Sequence, residues 1–302
     1  MPVAHPVPLV RVFVLAFFLA GSACAQPGGT PVAKPSASGD DGARQRRADS
    51  VLVQPDAAPD VGLQTDTLRL AVGETPVLVL VHTAPGRGDG PGLDALNVHD
   101  DEGTSVEAAL DVIGRRGGRV TEIQHGGERL LTFRLGGEAF VADPNRIFTE
   151  AGRARTLAGL SHDTPAARRA LAVFADTLLA LYTVTGPDPV VTLHNNTEAN
   201  YSAASYRAGG SEAAEAAALA TPDGADPDDF FFVTDRGLFD ALEAAGFAVV
   251  LQDNARATDD GSLSVWAAQN GARYVNAEAQ HGHRAAQTRM LDALLDALAT
   301  GH

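Results

Sequence analysis

The stretch "PVVTLHNN" (residues 189–196) is an apolar, β-branched run that ends in polar residues. This pattern predicts a buried strand with functional groups at its carboxyl end. "ARYVNAEAQHG" (residues 272–282) has the same character, a strand followed by its exit loop. From about residue 61 onward, short apolar runs alternate with alanine-rich helical patterns, and there is no internal repeat. The sequence therefore predicts a single α/β domain with a mostly parallel or mixed central sheet and helices on both faces.

The other predicted elements follow from apolar period and turn residues. Strands are predicted at residues 75–84, 93–99, 189–196, 248–254 and 272–282. Helices are predicted at residues 104–118, 164–184, 237–247, 263–271 and 284–300. The first helix has Thr104 near its start and Gly117 and Gly118 as its stop. Residues 129–143 read as a hairpin that turns at Gly136-Gly137, and a loop region is expected after residue 196.

The composition excludes some classes of partner. The chain has 302 residues, a formal net charge of −15 and 45% hydrophobic residues, enough to bury a full core. Lys34 is its single lysine. Nucleic acids and anionic membrane surfaces require a basic face, so neither is an expected partner.

The N-terminus predicts export. Arg11 precedes a short apolar run and then the small residues "GSACA", so residues 1–25 read as a signal peptide, which favours a periplasmic location. Residues 26–60 are rich in Pro, Gly, Ala and Asp and read as a flexible tether to a catalytic domain at residues 61–302. Cys24 lies in an A-x-A cleavage site, but it could also be the lipidated first residue of a membrane-tethered lipoprotein. Because Cys24 is the only cysteine, metal ligands in the domain must be His, Asp or Glu.

Several predicted strands end in the residue types of a metal hydrolase. Ligands gather beyond the carboxyl ends of strands in such sheets. A zinc ion that activates water needs about three nitrogen or oxygen ligands and a nearby carboxylate base. His99, Glu102 and His194 would be the ligands, and Glu278 the base. Each also has an ordinary explanation: a capped helix start for the first pair, a histidine at the edge of the core and a solvated strand end for the others.

Four motifs carry a resemblance to a known family. They are "HDDE" (residues 99–102), "DPNRIF" (143–148), "TLHNNT" (192–197) and "NAEAQHG" (276–282). In this order they resemble the zinc carboxypeptidase superfamily, and within it the succinylglutamate desuccinylase and aspartoacylase branch. The resemblance implies Zn²⁺ on His99, Glu102 and His194, with Glu278 as the catalytic residue.

The resemblance also implies substrate contacts. Asn145 and Arg146 would hold a free carboxylate, since a guanidinium binds a carboxylate through two parallel hydrogen bonds. A further arginine would polarise the scissile carbonyl; Arg129 and Arg134 are the candidates, and Arg134 is assigned this catalytic role. Tyr201, Tyr206, Gln252 and Asp253 are candidates for the polar pocket walls.

The chain departs from the family pattern at Asp100-Asp101, which replace Gly-Asn and add negative charge near the metal ligands, and at Pro144, which replaces leucine. Unless these aspartates point away, they would repel an acidic substrate.

The function expected from these residues is an exported, zinc-dependent hydrolase. It would cleave an amide bond in a small-molecule or peptide substrate with a free carboxylate, as a carboxypeptidase, cell-wall peptide amidase or N-acyl amino acid deacylase. The alternative is a non-catalytic periplasmic binding protein for carboxylate-terminated peptides, which would use Arg146 but would not need the converging histidines.

Overall fold

A computed structural model describes residues 62–86, 90–183, 189–198 and 200–301. They belong to the compact unit Asp56–His302. The predicted signal peptide (residues 1–25) and tether (26–60) lie outside the described residues and stay predictions. Within the described residues, no helix combines the length and the apolar character needed to cross a membrane.

Nine strands form the main sheet in the order β1-β2-β4-β3-β7-β11-β9-β10-β8. Their bounds are β1 Gln64–Val72, β2 Thr75–Ala84, β3 Leu93–Asn97, β4 Gly118–Gln124, β7 Val190–Asn196, β8 Ala216–Ala220, β9 Phe230–Val233, β10 Ala248–Gln252 and β11 Tyr274–Gln280. A separate hairpin consists of β5 Leu131–Leu135 and β6 Glu138–Ala142. The helices are α1 Gly103–Arg116, α2 Glu150–Leu160, α3 Pro165–Thr183, α4 Arg236–Ala244, α5 Leu263–Gln269 and α6 Arg284–Ala299.

The sheet is mixed, which confirms the predicted fold class. Its centre is parallel, since β4, β3, β7 and β11 pair in that sense one after another. Antiparallel pairs flank this centre, between β1, β2 and β4 on one side and between β11 and β9 on the other. Parallel neighbours need a crossover connection, and helix α1 provides it between β3 and β4.

The two faces of the sheet carry separate hydrophobic cores. Helices α1, α4 and α6 bury their apolar sides on one face, and α3, α5 and the β5–β6 hairpin do so on the other. Strand β7 serves both cores: Val191 and Leu193 pack on the first face and Val190 on the second. Because successive side chains of a strand point to opposite faces, His194 lies on the second face.

The structure confirms one local expectation and differs from two others. The hairpin turns at Gly136 and Gly137 as predicted, with positive φ values of 61° and 85°. Thr104 does not cap α1: the helix starts at Gly103 after Glu102, and the Thr104 hydroxyl accepts a hydrogen bond from the Gly282 N–H at 3.0 Å instead. The region after residue 196 is not all loop, because it contains strands β8 and β9.

Four strands, β1, β4, β8 and β9, lie outside the predicted set. Strands β1 and β4 have nine and seven residues, whereas β9 and β8 are short. The run "FFFV" of β9 is only four residues long and is buried between β11 and β10, so tertiary pairing decides its conformation. Strand β8 is mostly alanine and pairs with β10 across an irregular register. Helix α2, which directly follows the "DPNRIF" motif, was also not predicted.

Candidate metal centre and active site

The candidate site lies at the carboxyl ends of three neighbouring strands, β3, β7 and β11. His99 follows β3 by two residues, while His194 and Glu278 lie near the ends of β7 and β11, directly opposite each other in the parallel register. Glu102 comes from the turn between β3 and α1, where its backbone N–H donates to the His99 carbonyl at 3.2 Å. The fold thus brings four residues from three segments that are far apart in sequence to one edge of the sheet.

Three donor groups of these residues converge. His99 Nδ1 lies 2.8 Å from Glu102 Oε1, and His194 Nδ1 lies 2.9 Å from Glu102 Oε2. The two Nδ1 atoms are 3.1 Å apart. All three side chains are buried, with exposed fractions of 1% for His99 and Glu102 and 4% for His194.

This donor set fits a divalent metal ion. Zinc binds histidine nitrogen and carboxylate oxygen at about 2.0–2.2 Å in a tetrahedral arrangement, which puts neighbouring donors roughly 3.3 Å apart. The separations here, 2.8 to 3.1 Å, are close to that value. Two imidazole nitrogens that face each other this closely repel through their lone pairs unless a proton or a cation lies between them. Three protein donors are also the usual number at catalytic zinc sites.

The outer nitrogens of both histidines are held by the "DPNR" segment. His99 Nε2 lies 2.9 Å from Asp143 Oδ1, and His194 Nε2 lies 3.3 Å from Asn145 Nδ2. A carboxylate behind a metal-binding histidine fixes the tautomer that leaves the inner nitrogen free to bind. Burial alone would lower the pKa of His99, but the charges of Glu102 and Asp143 outweigh it and raise the pKa to about 9.

Sequence reasoning missed Asp143, although it is the first residue of the quoted "DPNR" motif. The same Oδ1 atom accepts from the Asn145 N–H at 2.8 Å and so caps the 3-10 turn Pro144–Arg146. Asp143 therefore couples the predicted carboxylate anchor to the predicted metal ligand His99. Its place directly after strand β6 was the available signal.

The structure brings only one of the two candidate arginines to this cluster. Arg129 Nη1 lies 2.5 Å from Glu102 Oε1, and its side chain lines the adjoining cavity. Arg134 lies on the exposed side of β5, and its guanidinium donates to the Gly137 carbonyl at 2.9 Å. The placement therefore disagrees with Arg134 as the carbonyl-polarising residue and favours the other candidate, Arg129, whose role stays a prediction. The hairpin geometry decides this, since alternate residues of β5 point away from the core.

Glu278 is buried, with 4% of its surface exposed, and its Oε2 accepts a hydrogen bond from Asn276 Nδ2 at 2.9 Å. Burial raises the pKa of Glu278 to about 8, and the negative charge of Glu102 adds to this rise. A carboxyl group whose pKa is close to neutral can both accept and return a proton at physiological pH.

The two aspartates that depart from the family pattern have different placements. Asp100 Oδ2 accepts from the backbone N–H groups of His125 and Gly127, at 2.5 and 2.7 Å. Its charge is thereby directed at the loop that leads to Arg129 and away from the metal ligands. Asp101 is exposed and lines the cavity, so only this one adds negative charge to the approach.

A cavity of about 670 Å³ opens beside the metal ligands. Asn145, Arg146, Tyr201, Tyr206 and Gln252 line it, as the sequence predicts for substrate-binding residues. Arg146 donates to its neighbour's carbonyl, Asn145 O, at 2.9 Å, and its Nε lies 3.2 Å from Asp260 Oδ2.

Asp253 is not among the residues that line the cavity; its carboxylate pairs with Arg256 Nε at 2.7 Å. The two tyrosine hydroxyls are 2.5 Å apart, and burial raises the pKa of both phenols.

Comparison with solved structures finds proteins whose names match the branch that the motifs resemble. An aspartoacylase family protein from Mesorhizobium loti is 18% identical over 78% of this chain and 67% of that one, with a TM-score of 0.42. A succinylglutamate desuccinylase/aspartoacylase from Rhodobacter sphaeroides is 16% identical over 80% and 67%, with a TM-score of 0.37. The murein-tripeptide amidase of Escherichia coli O157 is 14% identical over 76% and 91%, with a TM-score of 0.36.

No protein-family model and no curated protein matches the chain. Because the TM-scores of these three structures are below 0.5, the chemistry of the site must be judged from its own side chains.

Proposed function

We propose that this protein is a zinc-dependent hydrolase that cleaves an amide bond next to a substrate carboxylate. The observation that carries the proposal is the convergence of His99, Glu102 and His194 beside a buried carboxyl group, Glu278, whose pKa is near neutral. This combination of three donors and a separate base is what metal-assisted hydrolysis requires.

Each residue of the site has a separate role in the proposed reaction. A zinc ion held by His99, Glu102 and His194 supplies Lewis-acid chemistry and lowers the pKa of bound water. Glu278 accepts the proton of the attacking water and returns it to the leaving amine. Arg129 faces the same space and stabilises the negative charge that develops on the carbonyl oxygen.

The "DPNR" segment orients the substrate. Arg146 and Asn145 bind the free carboxylate and thereby set which bond lies over the reacting groups. Asp143 hydrogen-bonds both His99 and the Asn145 backbone, so the distance between the carboxylate site and the reacting groups is held by a short connection.

We also propose that the protein acts outside the cytoplasm, because residues 1–25 have the character of a signal peptide. An exported enzyme meets peptides and cell-wall fragments more than cytoplasmic metabolites, which favours a carboxypeptidase or amidase over a metabolic deacylase. Cell fractionation tests the location, and Cys24→Ala tests lipid attachment: loss from the membrane fraction is expected only if Cys24 is lipidated.

The decisive experiment combines metal content with turnover. The purified protein should contain close to one zinc per chain and hydrolyse some member of a panel of carboxylate-terminated peptides and N-acyl amino acids. Glu278→Gln should keep the zinc and lose activity by about a thousandfold or more. A protein without zinc and unchanged in stability by a chelator would contradict the proposal, while zinc binding and substrate binding without turnover would favour the binding-protein alternative.

A further inference from the structure

Tyr206, Phe232, Tyr274 and Asn276 line the same cavity as Glu278. The part of the wall that these four residues form is called the inner pocket. Asn276 and Phe232 are partners in the β11–β9 register, and Tyr274 precedes Asn276 by two residues on the same face of β11. The ring of Tyr206 packs against that of Phe232, with centroids 5.4 Å apart. The pocket walls are therefore aromatic, with Asn276 as a polar group between them.

Asn276 presents a hydrogen-bond acceptor without a donor. Its Nδ2 donates to Glu278 Oε2 at 2.9 Å, which leaves the Oδ1 atom as the free end of the amide. Among the described residues, no group donates to this Oδ1, although Asn276 is only 6% exposed. Buried polar atoms nearly always have a partner, so this one points to a ligand that supplies an N–H or O–H group.

A negative charge faces the same pocket. Glu212 lines the cavity, its backbone N–H donates to the Ser205 carbonyl at 2.9 Å, and its charge contributes to the raised pKa of the neighbouring Tyr206. The two arginines of the cavity already face the carboxylates of Glu102 and Asp260. Within the part of the chain that the structure describes, no cation pairs with Glu212.

We propose that the substrate of this site carries an amine or guanidinium on the residue that bears the free carboxylate, and that Asn276 Oδ1 and the Glu212 carboxylate recognise this group. The aromatic rings accommodate the methylene chain, and the cationic end supplies the donor and the positive charge that the pocket lacks. This inference rests on the proposed function, because it places the substrate carboxylate on Arg146.

Binding to the zinc-loaded Glu278→Gln variant tests the inference without turnover. We expect N-acetyl-L-lysine to bind about tenfold more tightly than N-acetyl-L-norleucine, whose side chain has a similar length but no charge, and N-acetyl-L-glutamate to bind least. In the Glu212→Gln background, the preference for lysine should fall to about twofold or less. Glu243→Gln, an exposed change on α4, is the matched control and should leave the preference unchanged.

The outcomes separate this inference from the proposed function. If norleucine binds as well as lysine, or if none of the three compounds binds, the inference is overturned. The same holds if Glu212→Gln keeps the full preference. Hydrolysis of carboxylate-terminated amides without a lysine preference would leave the proposed function standing alone. A lysine preference in binding without any hydrolysis by the parent protein would support the pocket and contradict the hydrolase.

Discussion

His194 and Glu278 face each other on neighbouring parallel strands, in register, at the point where β7 and β11 reach the edge of the sheet. This pairing holds an imidazole of the candidate metal site and a buried carboxyl group side by side on two well-packed strands. The precision of the arrangement comes from the backbone ladder, since neighbouring strands are about 4.8 Å apart.

The burial of Glu278 should make the unfolding free energy of the metal-free protein fall as the pH rises from about 5 to 8. Its pKa in the folded state, about 8, is above the ordinary value of 4.5, so the protonated form favours folding. That contribution is complete below about pH 4.5 and is lost as the pH rises towards 8. The variant Glu278→Gln has no ionisable group here, so it avoids this loss. The difference in unfolding free energy between the variant and the parent should therefore be roughly 2 to 4 kcal/mol more in favour of the variant at pH 8 than at pH 5. Urea unfolding of chelator-treated proteins measures this; an equal gain at both pH values would contradict it.

Removing the charge of Asp143 should weaken metal binding. Asp143→Asn keeps an oxygen that can cap the 3-10 turn but removes the carboxylate that holds His99 Nε2. Changes behind a ligand of this kind cost about 10- to 100-fold in metal affinity. Competition with a chelator of known affinity measures the loss. Asp111→Asn, on the exposed part of α1, is the control, and equal zinc affinity in both variants would mean that Asp143 does not orient the ligand.

Arg129 and Arg134 should respond oppositely to the same substitution. Arg129→Gln removes a guanidinium that faces the reacting groups, so kcat should fall by about 100- to 1,000-fold. Arg134→Gln changes an exposed side chain of the hairpin and should leave kcat within about twofold. Steady-state kinetics on one substrate decides the assignment, and it would be reversed if only the Arg134 variant lost activity.

Asp260 should act on substrate binding through Arg146. Asp260→Asn removes the ion pair that orients the Arg146 guanidinium. Because a guanidinium without this partner is no longer held in place to bind the substrate carboxylate, KM should rise about 3- to 10-fold while kcat changes little. The neighbouring change Asp259→Asn is a close control, because the Asp259 carboxylate bonds Thr149 and Gln269 and does not line the cavity. A KM effect of the same size in both variants would indicate a general disturbance of the loop.

A buried polar network behind the site should be important for stability. Gln287 of α6 is completely buried; it donates to the His194 and Ala277 carbonyls, at 3.0 and 2.9 Å, and accepts from Asn195 Nδ2 at 3.0 Å. Gln287→Leu leaves these groups unpaired and should cost about 2 to 4 kcal/mol in unfolding free energy. Gln269→Leu, at the exposed end of α5, should cost less than about 1 kcal/mol. Denaturant unfolding compares the two, and similar losses would argue against a stabilising network.

Much of the architecture could be predicted because it depends on local chemistry. The β-branched apolar run at residues 189–196 predicts a buried strand, and Gly136-Gly137 permits the positive φ values of a tight turn. Strand β9, by contrast, has four residues and no local signal long enough to distinguish it from loop. Its pairing between β11 and β10 decides its conformation.

The candidate site was predictable in its residue types but not in its contacts. The motifs name His99, Glu102, His194 and Glu278. The position of Asp143 after a predicted hairpin marks it as a candidate, yet the sequence does not show that its carboxylate lies against His99. Nor does it show that Asp100 turns towards the 125–127 loop. Such facts depend on side-chain directions, which vary with the path of each loop.

The sequence by itself determined the α/β class, several of the central strands and helices and the set of residues suited to bind a metal, because periodicity and residue chemistry are local properties. The tertiary structure decided which arginine faces the reacting groups and which backbone groups the Asp100 carboxylate binds. It also decided that Asn276 and Glu212 line one cavity. The physical reason is that these relationships join residues on different elements, such as Arg129 with Glu102 and Asp100 with His125, which are 27 and 25 positions apart. Only the folding of the chain around the sheet brings such residues within hydrogen-bond or charge distance.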